Sequence, residues 1–309
     1  MPFRPTHRQL EYLVALDETR HFGRAAQLCH VSQPTLSVQI SLLEKQLDVV
    51  LVERTPGAIS LSSVGQDIAA AARSVLATLD DIVTVASAGR DNLGSLIRLG
   101  VVPTFGPYFL PVFLPDLHRR YPALRVHVRE ERPALLEDQV RGGDIDCALG
   151  QQPKHRDSFV FEPICREQIL LGIPVNHRLA SAASVRLTDL EGETLLTLGR
   201  GHRLVENVRE LATLSGSVMA EDYEGTSLDA LRQMVAIEMG LSLFPEFYVR
   251  TEFAKEANVK LFPIEDWPAS REMGFFWRSS SARGAHFRQL AVLAREILGQ
   301  REQAARPPA

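Results

Sequence analysis

Apolar residues recur with helical spacing over the first fifty positions. Leu10, Leu13, Val14 and Leu16 share one side of a first helix, Phe22, Ala25, Ala26 and Leu28 mark a second, and Leu36, Ile40, Leu43 and Leu47 a third. His30-Val31-Ser32 interrupts the pattern; Ser32 suits an N-cap, and Pro34 suits a first turn, where its missing N–H costs little. The third helix leaves Gln33, Thr35, Ser37, Val38 and Gln39 on its other faces. Two short helices joined by a tight turn, the second polar near its start, form a helix-turn-helix pattern, and the small Ala26 suits a close crossing. Arg54-Thr55-Pro56-Gly57 then predicts a turn, and Ile59 and Leu61 alternating with Ser60 and Ser62 predict a small β-wing.

From Gln66 to Ala88 one long helix is predicted, with Ile68, Ala72, Val75, Leu79, Ile82 and Ala86 in a 4-3-4-3-4 seam. Such a seam fits a helix packed on its own domain or a dimer coiled coil; its narrowness, flanked by Asp80 and Asp81, favours the dimer. After Ser95 the pattern changes. Predicted strands at 97–101, 124–128 and 147–149 alternate with helices at 106–121 and 134–141. A second set follows, with strands at 169–173, 195–198 and 241–244 and helices at 204–214 and 227–239, then a returning strand at 275–277 and a final helix at 285–298. The alternation predicts an α/β unit with a mainly parallel sheet, in two lobes around a cleft.

Composition narrows the picture without changing it. The chain has 309 residues, 45% hydrophobic and 23% charged, with a formal net charge of −4, which excludes a histone-like basic binder but not a DNA-reading module within a larger acidic chain. Only Lys45, Lys154, Lys255 and Lys260 are lysine among 34 cations; the rest are arginine. Residues 1–65 carry six Arg or Lys and six Asp or Glu, so binding there must rely on placement and multiplicity rather than bulk charge. Cys29, Cys147 and Cys165 are odd in number and widely spaced, which argues against a disulfide framework or a zinc site. No run of about 18 apolar residues and no secretory h-region is present, so a cytoplasmic location without membrane association is expected.

Phe22-Gly23-Arg24-Ala25-Ala26-Gln27-Leu28, then Val31-Ser32-Gln33-Pro34-Thr35-Leu36-Ser37, Gln39-Ile40 and Leu43-Glu44, closely resemble the LysR-type transcriptional regulators. Within that family the chain is most similar to the peroxide-sensing OxyR branch, through residues 10–16, Cys29-His30-Val31, Pro103 to Tyr108, Leu195 to His202 and Thr226-Ser227-Leu228. The resemblance implies an α/β effector domain of two Rossmann-like, periplasmic-binding-protein-like lobes, preceded by an N-terminal winged helix-turn-helix and a linker helix. The expected boundaries are 1–65 for the winged domain, 66–93 for the linker and dimerisation helix, and 94–309 for the regulatory domain (lobe I 94–165 and 270–303, lobe II 166–269). It also implies double-stranded DNA as partner, a dimer through the linker helix, a tetramer, a small-molecule effector and contact with RNA polymerase. No cofactor or metal is implied. The branch places a reactive cysteine just after a Gly-His pair and a second nine residues later; here Gly201-His202 is followed by Arg203, and the later position is Ala212. Asp48 stands where the family usually has glycine, Val52 where it has an aromatic residue, and Val64 where it has alanine.

Two groups of candidate residues follow. Ser32, Gln33, Pro34, Thr35, Ser37 and Gln39 open the third helix and can enter a major groove, while Arg54 on the wing suits a phosphate or the minor groove. Thr104, His202, Arg203, Asp222, Thr226 and Ser227 are the candidates for an effector pocket, with Thr104 and Thr226-Ser227 at helix starts. A buried, unpaired guanidinium is too costly to persist. Arg203 must therefore reach solvent, pair with a carboxylate such as Glu206 or Asp222, or receive an anion, and pairing is the favoured outcome. Two alternatives stay open: a thiol redox sensor using Cys147 or Cys165, and an enzyme on the α/β half. The enzyme reading lacks G-x-S-x-G, H-E-x-x-H and Walker motifs, and Gly199-Arg200-Gly201 lacks the dinucleotide-binding spacing.

Overall fold

The computed structural model describes residues 3–55, 58–87, 96–253 and 256–304, the side chains of 54, 55, 58, 81, 84–87 and 302–304 excepted. The chain divides into two compact units. One holds Met1–Gly94, Asp138–Ile145 and Ser280–Arg283; the other holds Ser95–Glu137, Asp146–Ser279 and Gly284–Ala309.

In the N-terminal unit, α1 (His7–Thr19), α2 (Phe22–Leu28) and α3 (Gln33–Leu47) are followed by a hairpin of β1 (Val52–Thr55) and β2 (Ala58–Leu61) and by α4 (Ser63–Ser87). The apolar stripes expected from spacing meet in one core of Leu13, Leu16, Ala25, Ala26, Leu36, Ile40 and Leu43, closed by Leu51 and by Ala69 of α4. Thr6 caps α1 in a capping box with Gln9, which satisfies N–H groups that the helix itself leaves open. Asp48, in place of the family's glycine, ends α3 at φ 55°, a left-handed conformation that aspartate tolerates better than most side chains. Glu44 ties α3 to the wing: its Oε1 accepts from the N–H of Leu51 at 2.9 Å and of Val52 at 3.0 Å. Gly65 admits no side chain, because a Cβ there would lie 2.2 Å from the Leu51 carbonyl oxygen. Ala69 and Ala72 of α4 are buried, and Arg73 pairs with Asp17 of α1; beyond them Val75, Leu79 and Ile82 of the seam are exposed, and the Ala86 side chain lies outside the described residues.

The second unit, the effector unit of the expected layout, begins with β3 (Leu96–Val101), α5 (Gly106–Arg120), β4 (Arg125–Glu130), α6 (Pro133–Gly142) and β5 (Cys147–Gln151), with β4 and β5 parallel to β3 on either side. The long β6 (Phe159–Pro174) then passes from the first half of the unit into the second. There it pairs antiparallel with β9 (Ser242–Pro245) and β10 (Val259–Phe262). The second half also holds β7 (Thr194–Leu195), α7 (Leu204–Ser215), β8 (Val218–Met219), α8 (Leu228–Ala236) and α9 (Glu246–Glu252). The chain returns through β11 (Ser270–Arg278), inserted antiparallel between β5 and β6, and ends in α10 (Gly284–Ala304). The seven-stranded sheet, in the order β10-β6-β11-β5-β3-β4 with β9 on β6, is therefore mixed rather than mainly parallel. The βαβ crossovers make the parallel part; the two strands joining the halves are antiparallel because the chain leaves along one and comes back along the other.

Candidate functional site

On α3, Ser32 is spent as the N-cap, its Oγ accepting from the Thr35 N–H at 3.3 Å and lying 2.8 Å from Thr35 Oγ1. Gln33, Pro34 and Thr35 are exposed and Ser37 is half-buried. Gln39 turns toward α1, where its Oε1 accepts from Gln9 Nε2 at 3.5 Å. Val38, which the spacing already sets off the apolar side of the helix, is 64% exposed, and Leu42, one helical turn further on and not among the sequence candidates, is also exposed. Apolar groups there suit thymine methyls as the glutamines suit base edges. Arg54 stands in β1 opposite Ile59, but its side chain lies outside the described residues.

The pocket candidates fall into three clusters. Thr104 is buried just before α5, whose N-cap is Phe105, so it is not a cap itself. Instead its hydroxyl and carbonyl oxygens both accept from Arg271 of β11, each at 2.8 Å. Arg271 Nε donates to Glu167 Oε1 of β6 at 2.7 Å, and the other Glu167 oxygen accepts from the Phe247 N–H at 3.0 Å. Side-chain exposure in that pair is 3% for Arg271 and 0% for Glu167. Neither residue carries a local sequence signal: each lies within a strand next to an opposite charge, Arg166 or Glu272, and the true partners lie 104 positions apart.

Arg203 does pair, but not with the carboxylates nearest in sequence. Nη2 donates to Glu137 Oε1 at 2.8 Å and Nη1 to the Gln152 carbonyl at 2.5 Å. Glu206 takes Lys154 instead, at 3.0 Å, and Asp222 is exposed. His202 is buried beside Arg203; burial first, then the Arg132 charge, hold its imidazole below the ordinary histidine value. Arg132 also lies against Gly201, where φ is +96° and a Cβ would meet Arg132 Cδ at 3.1 Å, so this turn needs glycine. The third cluster is the start of α8: Ser227 is its N-cap, accepting from the Ala230 N–H at 3.1 Å, and Thr226 is exposed beside it. Gly225, just before them, bridges to Leu198. Among the described residues no hydrogen bond joins Thr104 to His202 or Arg203.

The thiols are separated by β11. Cys165 faces Met273 while Ala148, next to Cys147, faces Phe276. Two strand spacings alone put the cysteines about 10 Å apart, beyond disulfide reach of roughly 7 Å. Cys147 is fully buried, and burial raises the Cys29 thiol above its ordinary value. Among the described residues no group of three or more His, Cys, Asp or Glu is placed to hold a metal, and no helix is long and apolar enough to cross a membrane.

A winged helix-turn-helix followed by a two-part α/β unit joined by continuous strands is the layout of a DNA-binding transcriptional regulator. Residues 7–66 match the bacterial regulatory helix-turn-helix protein, lysR family, and residues 90–299 the LysR substrate binding domain. The chain belongs to the LysR family, and it is OxyR-like. It is 37% identical over 288 residues to the DNA-binding transcriptional dual regulator OxyR of Escherichia coli K12, covering 93% of this chain and 94% of that one. A probable hydrogen peroxide-inducible genes activator of Streptomyces viridosporus is 34% identical over 295 residues, 95% of each chain. A full-length OxyR variant from Pseudomonas aeruginosa superposes with a TM-score of 0.77 at 32% identity, covering 95% of each chain. These relatives are regulators of transcription, so the enzyme alternative falls away.

Proposed function

We propose that this regulator reads a small effector in the cleft of its effector unit and does not read peroxide through a thiol. The observation that carries the proposal is Arg203: it follows Gly201-His202, where the resemblance sets the reactive cysteine, and its guanidinium is engaged by Glu137 and Gln152. A guanidinium forms neither a sulfenic acid nor a disulfide. Effector occupancy biases the packing of the two lobes, and with it the spacing of paired winged domains and the bend of the DNA.

In this reading the boundaries are 1–65, 66–93 and 94–309. The start of α3 reads the major groove through Gln33, Thr35, Ser37 and Gln39, with Ser32 and Pro34 fixing the helix entry and Arg54 on the backbone or minor groove. The exposed Val75, Leu79 and Ile82 of α4 support a dimer through that helix. Two dimers make the tetramer, which works in the cytoplasm and contacts RNA polymerase. Thr104, His202, Arg203, Asp222, Thr226 and Ser227 border the effector.

A gel shift and nuclease footprint on the DNA upstream of its own gene tests this. Binding is expected to weaken steeply with salt, and the footprint to stay unchanged by peroxide. A peroxide-dependent footprint with the native chain overturns the thiol-free reading.

A further inference from the structure

We propose that Arg203 and Glu137 form an ionic latch between the two halves of the effector unit, and that its opening and closing is the regulated step. This rests on the reading above and adds how the state is held. Arg203 opens α7 in the second half and reaches Glu137 on α6 in the first, at 2.8 Å, with side-chain exposures of 16% and 8%. Glu137 also receives the Lys154 N–H, at 3.3 Å to each oxygen, which fixes the turn after β5. Arg203 holds the same turn through the Gln152 carbonyl, and Lys154 Nζ reaches back to Glu206 in the first turn of α7. Four side chains thus close a ring from α6 through the β5 turn to α7.

The two joints between the halves differ in kind. At the hinge, β6 passes through as continuous chain, β11 is laddered to it, and Arg271–Glu167 is sealed beneath. The latch ring is made by side chains on one side of every bond, with no strand ladder across it. It can open without breaking backbone pairing.

Charge suits a latch better than apolar packing. A buried ion pair is no more stabilising than well-packed hydrophobic residues of similar volume, so stability alone does not call for it. Its distinguishing property is the open state: separated, both charges are hydrated, whereas separated apolar groups expose their surface to water. An ion pair therefore leaves two states close in free energy. Removing one partner is different, because the remaining charge stays buried and unpaired while closed, and the closed state is lost.

Hydrogen exchange on the full-length protein reads this directly. Glu137→Gln is expected to speed exchange of the amides at 203–210 by about 100-fold, with β6 and β11 amides unchanged, and to alter the length of the DNA footprint. The double variant Glu137→Leu with Arg203→Met is expected to fold and to exchange as slowly as the native chain at 203–210. Unchanged exchange in Glu137→Gln, an equal rise in β6 and β11, or an unaltered footprint overturns the latch. A native footprint that responds to peroxide overturns the thiol-free reading alone, since the exchange and footprint that judge the latch are both measured without peroxide.

Discussion

Gln33 and Thr35 stand exposed on the first turn of α3, while in the effector unit Arg203 and Arg271 are drawn inside and matched to Glu137 and Glu167. Helices α1 to α3 pack around an apolar core beside the buried Gln9, and the polar residues at the start of α3 lie outside it. The effector unit buries charges in pairs where its two halves meet. Groups that must meet a partner from outside are cheap to expose and carry little folding energy. Groups that couple one part of a protein to another must be buried to be strong, and then any change in them is felt throughout the unit.

The sharpest way to break that contrast is at the hinge. Arg271→Met leaves the Glu167 carboxylate buried without its cation and is expected to destabilise the effector unit by about 3–5 kcal/mol, read by urea unfolding. A loss under about 1 kcal/mol would mean the buried pair is not what joins the halves. Gln33→Ala tests the other side. It is expected to change folding stability by less than about 0.5 kcal/mol and to weaken specific DNA binding by about 1–3 kcal/mol, read by gel shift at fixed salt. An equal loss in stability would show that Gln33 is structural.

The smallest effect is a pH slope. Burial and Arg132 keep His202 neutral in the folded protein to lower pH than an unfolded imidazole. Below the ordinary histidine value the unfolded chain therefore binds more protons, and stability falls as the solution is acidified. His202→Gln should flatten urea-measured stability between about pH 7 and pH 5 relative to the native chain. An unchanged slope would assign the acid sensitivity elsewhere.

What could be read in advance follows the same division. The helices of the N-terminal unit and the wing are written in local periodicity, because each buries one face against near neighbours in sequence; the seam of α4 is periodic too, although Val75, Leu79 and Ile82 in it are exposed. The direction of β6 and β11 is not written locally: an apolar strand looks alike whichever way it runs. Arg203 could be recognised as needing a partner, since its position and charge are local facts. That the partner is Glu137 rather than Glu206 or Asp222 depends on how α6 meets α7, which no spacing encodes. Arg271 and Glu167 escaped for that reason too, and Leu42 because an apolar residue on a helix is ordinarily assigned to its core face.

The ladder between β6 and β11 has one more effect, on the order in which the protein is made. Gln168 pairs with Ser270 and Phe159 with Arg278, closing loops of roughly a hundred residues. Helices α1 to α3 and the wing need no such closure, and these short-range elements form first as the chain leaves the ribosome. During synthesis a folded winged module therefore precedes its own control unit, whose strand β6 waits with an open edge until β11 is made. A chain cut short before Ser270 keeps the module and leaves that edge unpaired, which makes it an aggregation-prone product rather than a free-standing regulator.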